Sequence, residues 1–298
     1  MSAGPVERPE SVSVKGDKMT SDVAAAPDGG TPERTGPLPF DTSRAHQARI
    51  YDYLLGGKDN YAADREAAEA VLKVWPDMPF TPRANRAFLG RAVRYLAAEA
   101  GIRQFLDIGT GIPTAGNTHQ VAQAIAPESR VVYADYDPIV LAHARALLTS
   151  TEAGATEYIH ADLRDTLAIL AQAAQLLDFT QPVAVTLLAI LHVIPDSDDP
   201  HAIVATLLDA VPSGSYLVVS HMGSDLIPSQ TQQEMSGISH RVSQQQYSNR
   251  SREQVARFFA GTELVEPGLV RVEEWRPEPG ATSVTGTSAL WGAVGRKH

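Results

Sequence analysis

Residues 104–117 read QFLDIGTGIPTAGN, and this stretch decides the fold. Phe105, Leu106 and Ile108 make a short apolar run of the kind that forms a buried strand. The run ends in a cluster of small residues from Gly109 to Gly116, after which Val121, Ala122 and Ile125 mark one face of a helix. Strand, glycine-rich turn and helix form the opening unit of a nucleotide-binding α/β sheet. Glycine in such a turn lets a ligand approach the backbone where a Cβ would block it.

Two details select the ligand. Thr114 stands where the dinucleotide fingerprint carries its third glycine, and Pro113 has no N–H to offer a phosphate. Asp107 would also repel a pyrophosphate. S-adenosylmethionine carries a sulfonium and an ammonium and no phosphate, so a carboxylate at this place attracts it. The turn therefore favours S-adenosylmethionine over NAD, with Asp107, Gly109, Thr110 and Gly111 as its candidate contacts.

The 298 residues suffice for one large domain or two small ones, and 43% apolar residues supply a full core. Cysteine is absent, which excludes disulfides, thiolate nucleophiles and thiolate metal sites and is compatible with the cytoplasm. A net charge of −10 speaks against nucleic acid as partner. The longest apolar run, Val183 to Ile194, is too short to span a bilayer. No signal-peptide pattern opens the chain. The nine histidines show no metal-ligand spacing, so no metal is expected.

Outward from the central stretch, residues 1–40 are rich in Pro, Gly, Ser, Thr and Glu, and predict a disordered tail. Met19 lies inside it and is a candidate start. Residues 41–100 predict a helical cap: helices near 45–55, 63–74 and 82–99, the first two joined by the polar turn GGKDNY. Tyr51, Tyr53, Lys58, Asn60 and Tyr61 are its candidate substrate contacts, and Asp59 a candidate base. Residues 101–298 predict the cofactor-binding domain. Its second strand, RVVYA, ends at Asp135-Tyr136-Asp137. Asp135 stands about twenty residues past the turn, where an acid binds ribose hydroxyls; Tyr136 is beside it, and Asp137 reads as a helix N-cap. Asp162 and Leu163 follow the third strand, at the place of an adenine pocket. His192 lies just beyond the fourth strand, on the ligand edge of such sheets, and is the other candidate base. Residues 223–250 read as a mobile lid or variable loop. Leu269–Val272 and Ser288–Val294 read as a closing hairpin.

Seven strands alternating with helices and closed by a hairpin make a Rossmann-like α/β sheet, mostly parallel with one antiparallel strand and helices on both faces. This resembles the class I S-adenosylmethionine-dependent methyltransferases. It is most similar to the actinobacterial S-adenosyl methyltransferase family, whose substrate is unassigned. The resemblance covers about residues 43–298 and rests on ARIYDYLLGGKDNYAADREAAE, QFLDIGTGIPTAGNTHQVAQ, VVYADYDPIVLAHARALL and WGAVGRK. It implies that Asp107, Gly109 and Gly111 cradle the methionine and ribose parts, that Asp135 holds the ribose and that Asp162 with Leu163 frames the adenine. Pro113 departs from the G-x-G-x-G tendency of the class. The asparagine-proline-proline-tyrosine motif of base methylation is missing after strand 4, against a nucleic-acid acceptor.

The expected function is methyl transfer from S-adenosylmethionine to oxygen or nitrogen of a small molecule. The alternatives are an S-adenosylmethionine-binding regulator without turnover and an NAD(P)-dependent oxidoreductase. The acceptor and the oligomeric state stay open at this stage.

Overall fold

Five apolar runs pair side by side in the computed structural model, which describes residues 1, 4, 41–147, 150–242, 247–278 and 286–298. They are β1 (Gln104–Ile108), β2 (Arg130–Asp135), β3 (Ala155–His160), β4 (Ala184–Leu188) and β5 (Tyr216–Met222), all parallel. Three further strands complete the sheet: β6 (Thr262–Leu264), β7 (Val270–Arg271) and β8 (Leu290–Lys297). β8 runs antiparallel to β5 and holds β6 and β7 along its other side. The order is β3-β2-β1-β4-β5-β8-β6, with β7 also on β8. The sheet thus holds the seven expected strands, with β7 paired to β8 and one strand, β8, reversed; β6 is an eighth. β6 escaped the sequence reading because it is three residues long and half-buried, with Glu263 facing water.

β1, β4 and β5 are buried along their whole length, as central strands covered on both faces must be. Alternation sorts their side chains. Phe105, Val131, Ala184 and Val218 point to one core, and Leu106, Val132, Val185 and Leu217 to the other. The chain winds from β1 outward to β3, then returns to β4 on the opposite side of β1. That reversal opens a crevice at the carboxyl ends of β1 and β4, where open α/β sheets bind ligands.

Before the sheet come α1 (Gln47–Leu55), α2 (Ala62–Val74) and α3 (Phe80–Ala98). α3 buries Phe88, Leu89, Ala92, Val93 and Leu96 in one core, an apolar stripe at helical spacing. The crossovers are α4 (Thr118–Ile125), α5 (Pro138–Leu147), α6 (Thr166–Ala173) and α7 (Pro200–Asp209). α8 (Ser229–Val242) and α9 (Arg252–Ala256) follow β5. Residues 229–242, read as part of a lid or loop, form a helix rather than a loop: the Gln, Glu and Met of α8 favour it, and it packs against α2. No helix among the described residues is long and apolar enough to cross a membrane. The tail expected for residues 1–40, and Met19, fall outside the described residues, apart from positions 1 and 4.

Candidate functional site

The crevice is built from the ends of four strands. β1 delivers Asp107, Gly109, Thr110 and Gly111; β2 delivers Asp135 and Tyr136; Asp162 and Leu163 follow β3; Ala189 and Ile190 follow β4. All eight candidate cofactor contacts from the sequence line this one hollow. Gly109 has φ +77°, and a Cβ there would stand 2.6 Å from the Ile190 side chain. Gly111 has φ +66°, and a Cβ there would meet no protein atom.

The acids are held by fixed partners. Asp135 accepts the Gly111 N–H on one oxygen and the Asp137 N–H on the other, each at 2.9 Å. Burial raises its carboxyl above the usual range, against the pull of those two donors. Asp107 accepts the hydroxyls of Thr118 at 2.6 Å and Thr186 at 2.8 Å, and burial raises it too. Asp162 is forked by Arg164 at 2.9 and 2.7 Å, which holds its carboxyl low. Asp137 caps α5 through the Ile139 N–H at 2.8 Å, as expected. The Gly111 N–H, which a dinucleotide site would aim at phosphate, is thus taken by a carboxylate. Arg86 is committed to the Ala115 carbonyl and Asn117 Oδ1, each at 3.2 Å. Carboxylates on three strand ends, one of them holding the Gly111 N–H, fit a cationic donor rather than a pyrophosphate.

The helices before the sheet close the crevice with residues the sequence reading missed. His46 caps α1; its Nε2 lies 2.7 Å from the Tyr136 hydroxyl and its Nδ1 2.9 Å from Asp137 Oδ2. Gln47 Nε2 donates to the Ala189 carbonyl at 3.4 Å and lies 3.3 Å from His192 Nε2. Tyr51 donates to the Pro82 carbonyl and accepts from Asn85 Nδ2, both at 3.1 Å. The chain of bonds runs on: Ser220 Oγ donates to Asn85 Oδ1 at 2.6 Å and accepts the Ala189 N–H at 2.9 Å. It fixes Ala189 at φ +52°, a strained conformation at the junction of sheet and cap. Burial pushes the Tyr51 phenol up to about 12.

A second hollow lies against the first. α1, α2, the start of α3 and α8 wall it, and the two meet at Gln47, Tyr51 and Ala189. Their volumes are about 160 and 140 Å³. His192 lines the second hollow and is 4% exposed. Its Nδ1 has no partner among the described residues. Burial, and then the charge of Arg250, push its imidazole down to about 4, so it is neutral at physiological pH.

Five residues of the sequence-derived site line neither of these two hollows: Tyr53, Lys58, Asp59, Asn60 and Tyr61. The GGKDNY turn folds onto its own helix instead. Buried Asp52 accepts the Asp59 N–H and Asn60 Nδ2, both at 2.9 Å. Asp59 faces His143 at 3.6 Å, and Lys58 is exposed. Tyr53 donates to Glu69, and the Arg49 guanidinium lies over the Tyr61 ring. The polar density of that turn is a structural closure. Of the substrate group only Tyr51 reaches the hollows. His46, Gln47 and Asn85 gave no signal in one dimension, because packing alone brings them to the strand ends. Among the described residues no group of three or more His, Asp or Glu is arranged to hold a metal.

The geometry agrees with what this chain is similar to. No curated protein matches it. Among solved structures, a DUF574-family protein from Streptomyces avermitilis is 47% identical with a TM-score of 0.83; the match covers 87% of this chain and 99% of that one. A protein from Thermobifida fusca, provisionally described as a methyltransferase, is 39% identical with a TM-score of 0.78, over 86% of this chain and 96% of that one. The sequence profile of the S-adenosyl methyltransferase family matches residues 33–298. The chain therefore belongs to the S-adenosyl methyltransferase family, enzymes that depend on S-adenosylmethionine.

Proposed function

We propose that this enzyme methylates a small molecule, with the crevice holding S-adenosylmethionine and the neighbouring hollow holding the acceptor. The observation that carries this reading is the join: a crevice lined by carboxylates meets a second, uncharged hollow at Gln47, Tyr51 and Ala189. Asp135 would take the ribose hydroxyls with the lone pairs left free by Gly111 and Asp137. Asp162 and Leu163 would frame the adenine, with the exposed Tyr136 ring beside it. Asp107 and the Gly109–Gly111 turn would lie along the methionine part. When bound, the cofactor supplies a sulfonium methyl: the acceptor atom bonds to carbon as the C–S bond breaks and sulfur keeps its electron pair.

The chain's own residues then align, dry and deprotonate. The cap excludes water through His46 on Tyr136 and Gln47 on Ala189. Alignment of two bound groups is a large share of such a rate enhancement. His192 is the proton acceptor where the acceptor atom carries a proton. Its Nε2 end lies beside Gln47, at the neck between the hollows. Asp59 faces His143 at 3.6 Å and lines neither hollow, so it is set aside as the base. Absence of cysteine suits a cytoplasmic setting, and the acidic net charge suits a small molecule rather than a nucleic acid.

Calorimetry with S-adenosylmethionine, S-adenosylhomocysteine and NAD tests the cofactor half. The first two should bind and NAD should not; NAD binding alone would sink the reading. For the base, His192→Gln should lower kcat about 100-fold while leaving S-adenosylhomocysteine affinity within a few-fold. An unchanged kcat removes His192 from the chemistry.

A further inference from the structure

The second hollow has a composition that names its guest. Its walls are Ile50, Leu54, Val71, Met78, Met235 and Ile238, and none of its described lining residues carries a charge. The adjoining crevice, by contrast, is lined by Asp107, Asp135, Asp162, Arg86 and Arg164. Three of the five methionines in the chain, Met78, Met222 and Met235, line the uncharged hollow. Thioethers adapt to flat, irregular guests and make favourable contacts with aromatic rings. Two polar groups of the far walls are already paired. Gln232 Nε2 donates to the Ser224 and Ile227 carbonyls, and Thr81 Oγ1 accepts the Ala289 N–H. Polar groups also gather at the neck, where His192, 4% exposed and with no partner among the described residues at Nδ1, lies 3.3 Å from Gln47 Nε2 and lines the hollow together with Tyr51.

We propose that the second hollow binds an uncharged, largely apolar aromatic acceptor whose phenol-type hydroxyl points to the neck between Gln47, Tyr51 and His192. This rests on the reading that the crevice holds S-adenosylmethionine. A carboxylate or ammonium taken into this hollow would be desolvated with no opposite charge to meet it. A phenol suffers no such loss. Its O–H also donates a stronger hydrogen bond to a neutral buried imidazole than an aliphatic alcohol does, because it is the stronger acid. Gln47 Nε2 lies 3.3 Å from His192 Nε2, and the acceptor hydroxyl takes that place.

The test uses the full chain saturated with S-adenosylhomocysteine, titrated at neutral pH by calorimetry. The probes are 2-naphthol, 2-naphthoic acid and 2-naphthylmethylamine, alike in ring and different in charge. Naphthol should bind at least about tenfold tighter than the other two, the least that an unpaired buried charge costs. Met235→Glu on α8 and Val71→Glu on α2 should each weaken naphthol about tenfold or more and leave S-adenosylhomocysteine affinity within about twofold. Retained cofactor affinity certifies that each variant is folded. The proposal fails if the acid or the amine matches naphthol, if neither variant weakens naphthol, or if protein that binds S-adenosylhomocysteine takes no naphthol. Protein that fails to bind S-adenosylhomocysteine overturns the cofactor reading first, and this proposal with it.

Discussion

Gly109 and Gly111 sit two residues apart in one turn with nearly equal positive φ, yet they face different surroundings. An alanine at either position meets the left-handed penalty of about 1–2 kcal/mol. At Gly109 the new methyl also collides with Ile190 at 2.6 Å, whereas at Gly111 it meets nothing. Gly109→Ala should therefore lower the urea midpoint more than Gly111→Ala, and Ile190→Ala should recover part of the difference in a double-mutant cycle. Equal losses would mean that Ile190 swings away without cost. Ligand affinity should rank the other way for Asp135. Asp135→Ala removes the acceptor of two backbone N–H groups, so S-adenosylhomocysteine affinity should fall about 100-fold by calorimetry. An unchanged affinity would remove it from the ribose role. These residues were legible in the sequence because a strand end is a fixed address: whatever follows β1, β2 or β3 arrives at the same edge of the sheet. His46, Gln47 and Arg86 come from the helices before β1, and their address depends on packing that no spacing rule describes.

At the scale of elements, one buried carboxylate joins α1 to α2. Asp64 is fully buried and accepts the His46 N–H at 2.8 Å, the Tyr61 N–H at 2.8 Å and Arg49 Nε at 3.1 Å. It thereby fixes the first turn of α1, which carries His46 and Gln47 to the crevice. Asp64→Ala leaves the Arg49 guanidinium buried without its counter-ion, a loss of about 3–5 kcal/mol in comparable pairs. Denaturant unfolding should show that loss, and S-adenosylhomocysteine affinity should weaken with it because the cap loosens. Stability unchanged within about 0.5 kcal/mol would mean that Arg49 relaxes to solvent. The three helices before β1 were readable from composition and from the Gly56-Gly57 stop. The role of GGKDNY was not, since a turn rich in hydrogen-bonding groups looks alike whether they face a ligand or, as here, the Asp52 carboxylate of the helix just ended. α8 was hidden for a related reason: its apolar face is spread thinly among Gln and Ser, and α2 completes the packing from far along the chain.

For the molecule as a whole, three buried histidines tie stability to pH. Burial lowers His192 to about 4, lowers His221 well below its ordinary value with help from His192, and lowers His119. A group whose folded pKa is depressed takes up its proton in the unfolded chain first. Its stabilising contribution is therefore complete above about 6.5 and is lost as pH falls toward the folded value. For His192 alone the window runs from about 6.5 to about 4 and amounts to about 3 kcal/mol. Asp107 and Asp135 act in the opposite sense. Their raised carboxyls contribute stability at low pH that is lost as pH rises through their folded values, so they blunt the acid loss at its lower end. Urea midpoints should thus hold steady from pH 8 to about 6.5 and then fall toward pH 4.5. His192→Gln should shallow that fall, because the amide has no proton to gain, while leaving the neutral plateau within about 1 kcal/mol once the deletion itself is subtracted. A profile equally steep in the variant would assign the acid loss to His221, His119 and the carboxyls held low, such as Asp137 and Asp162. It would also mean that the imidazole at the neck of the two hollows is wet enough to titrate normally, and a base in contact with water would serve an acceptor far more polar than a phenol.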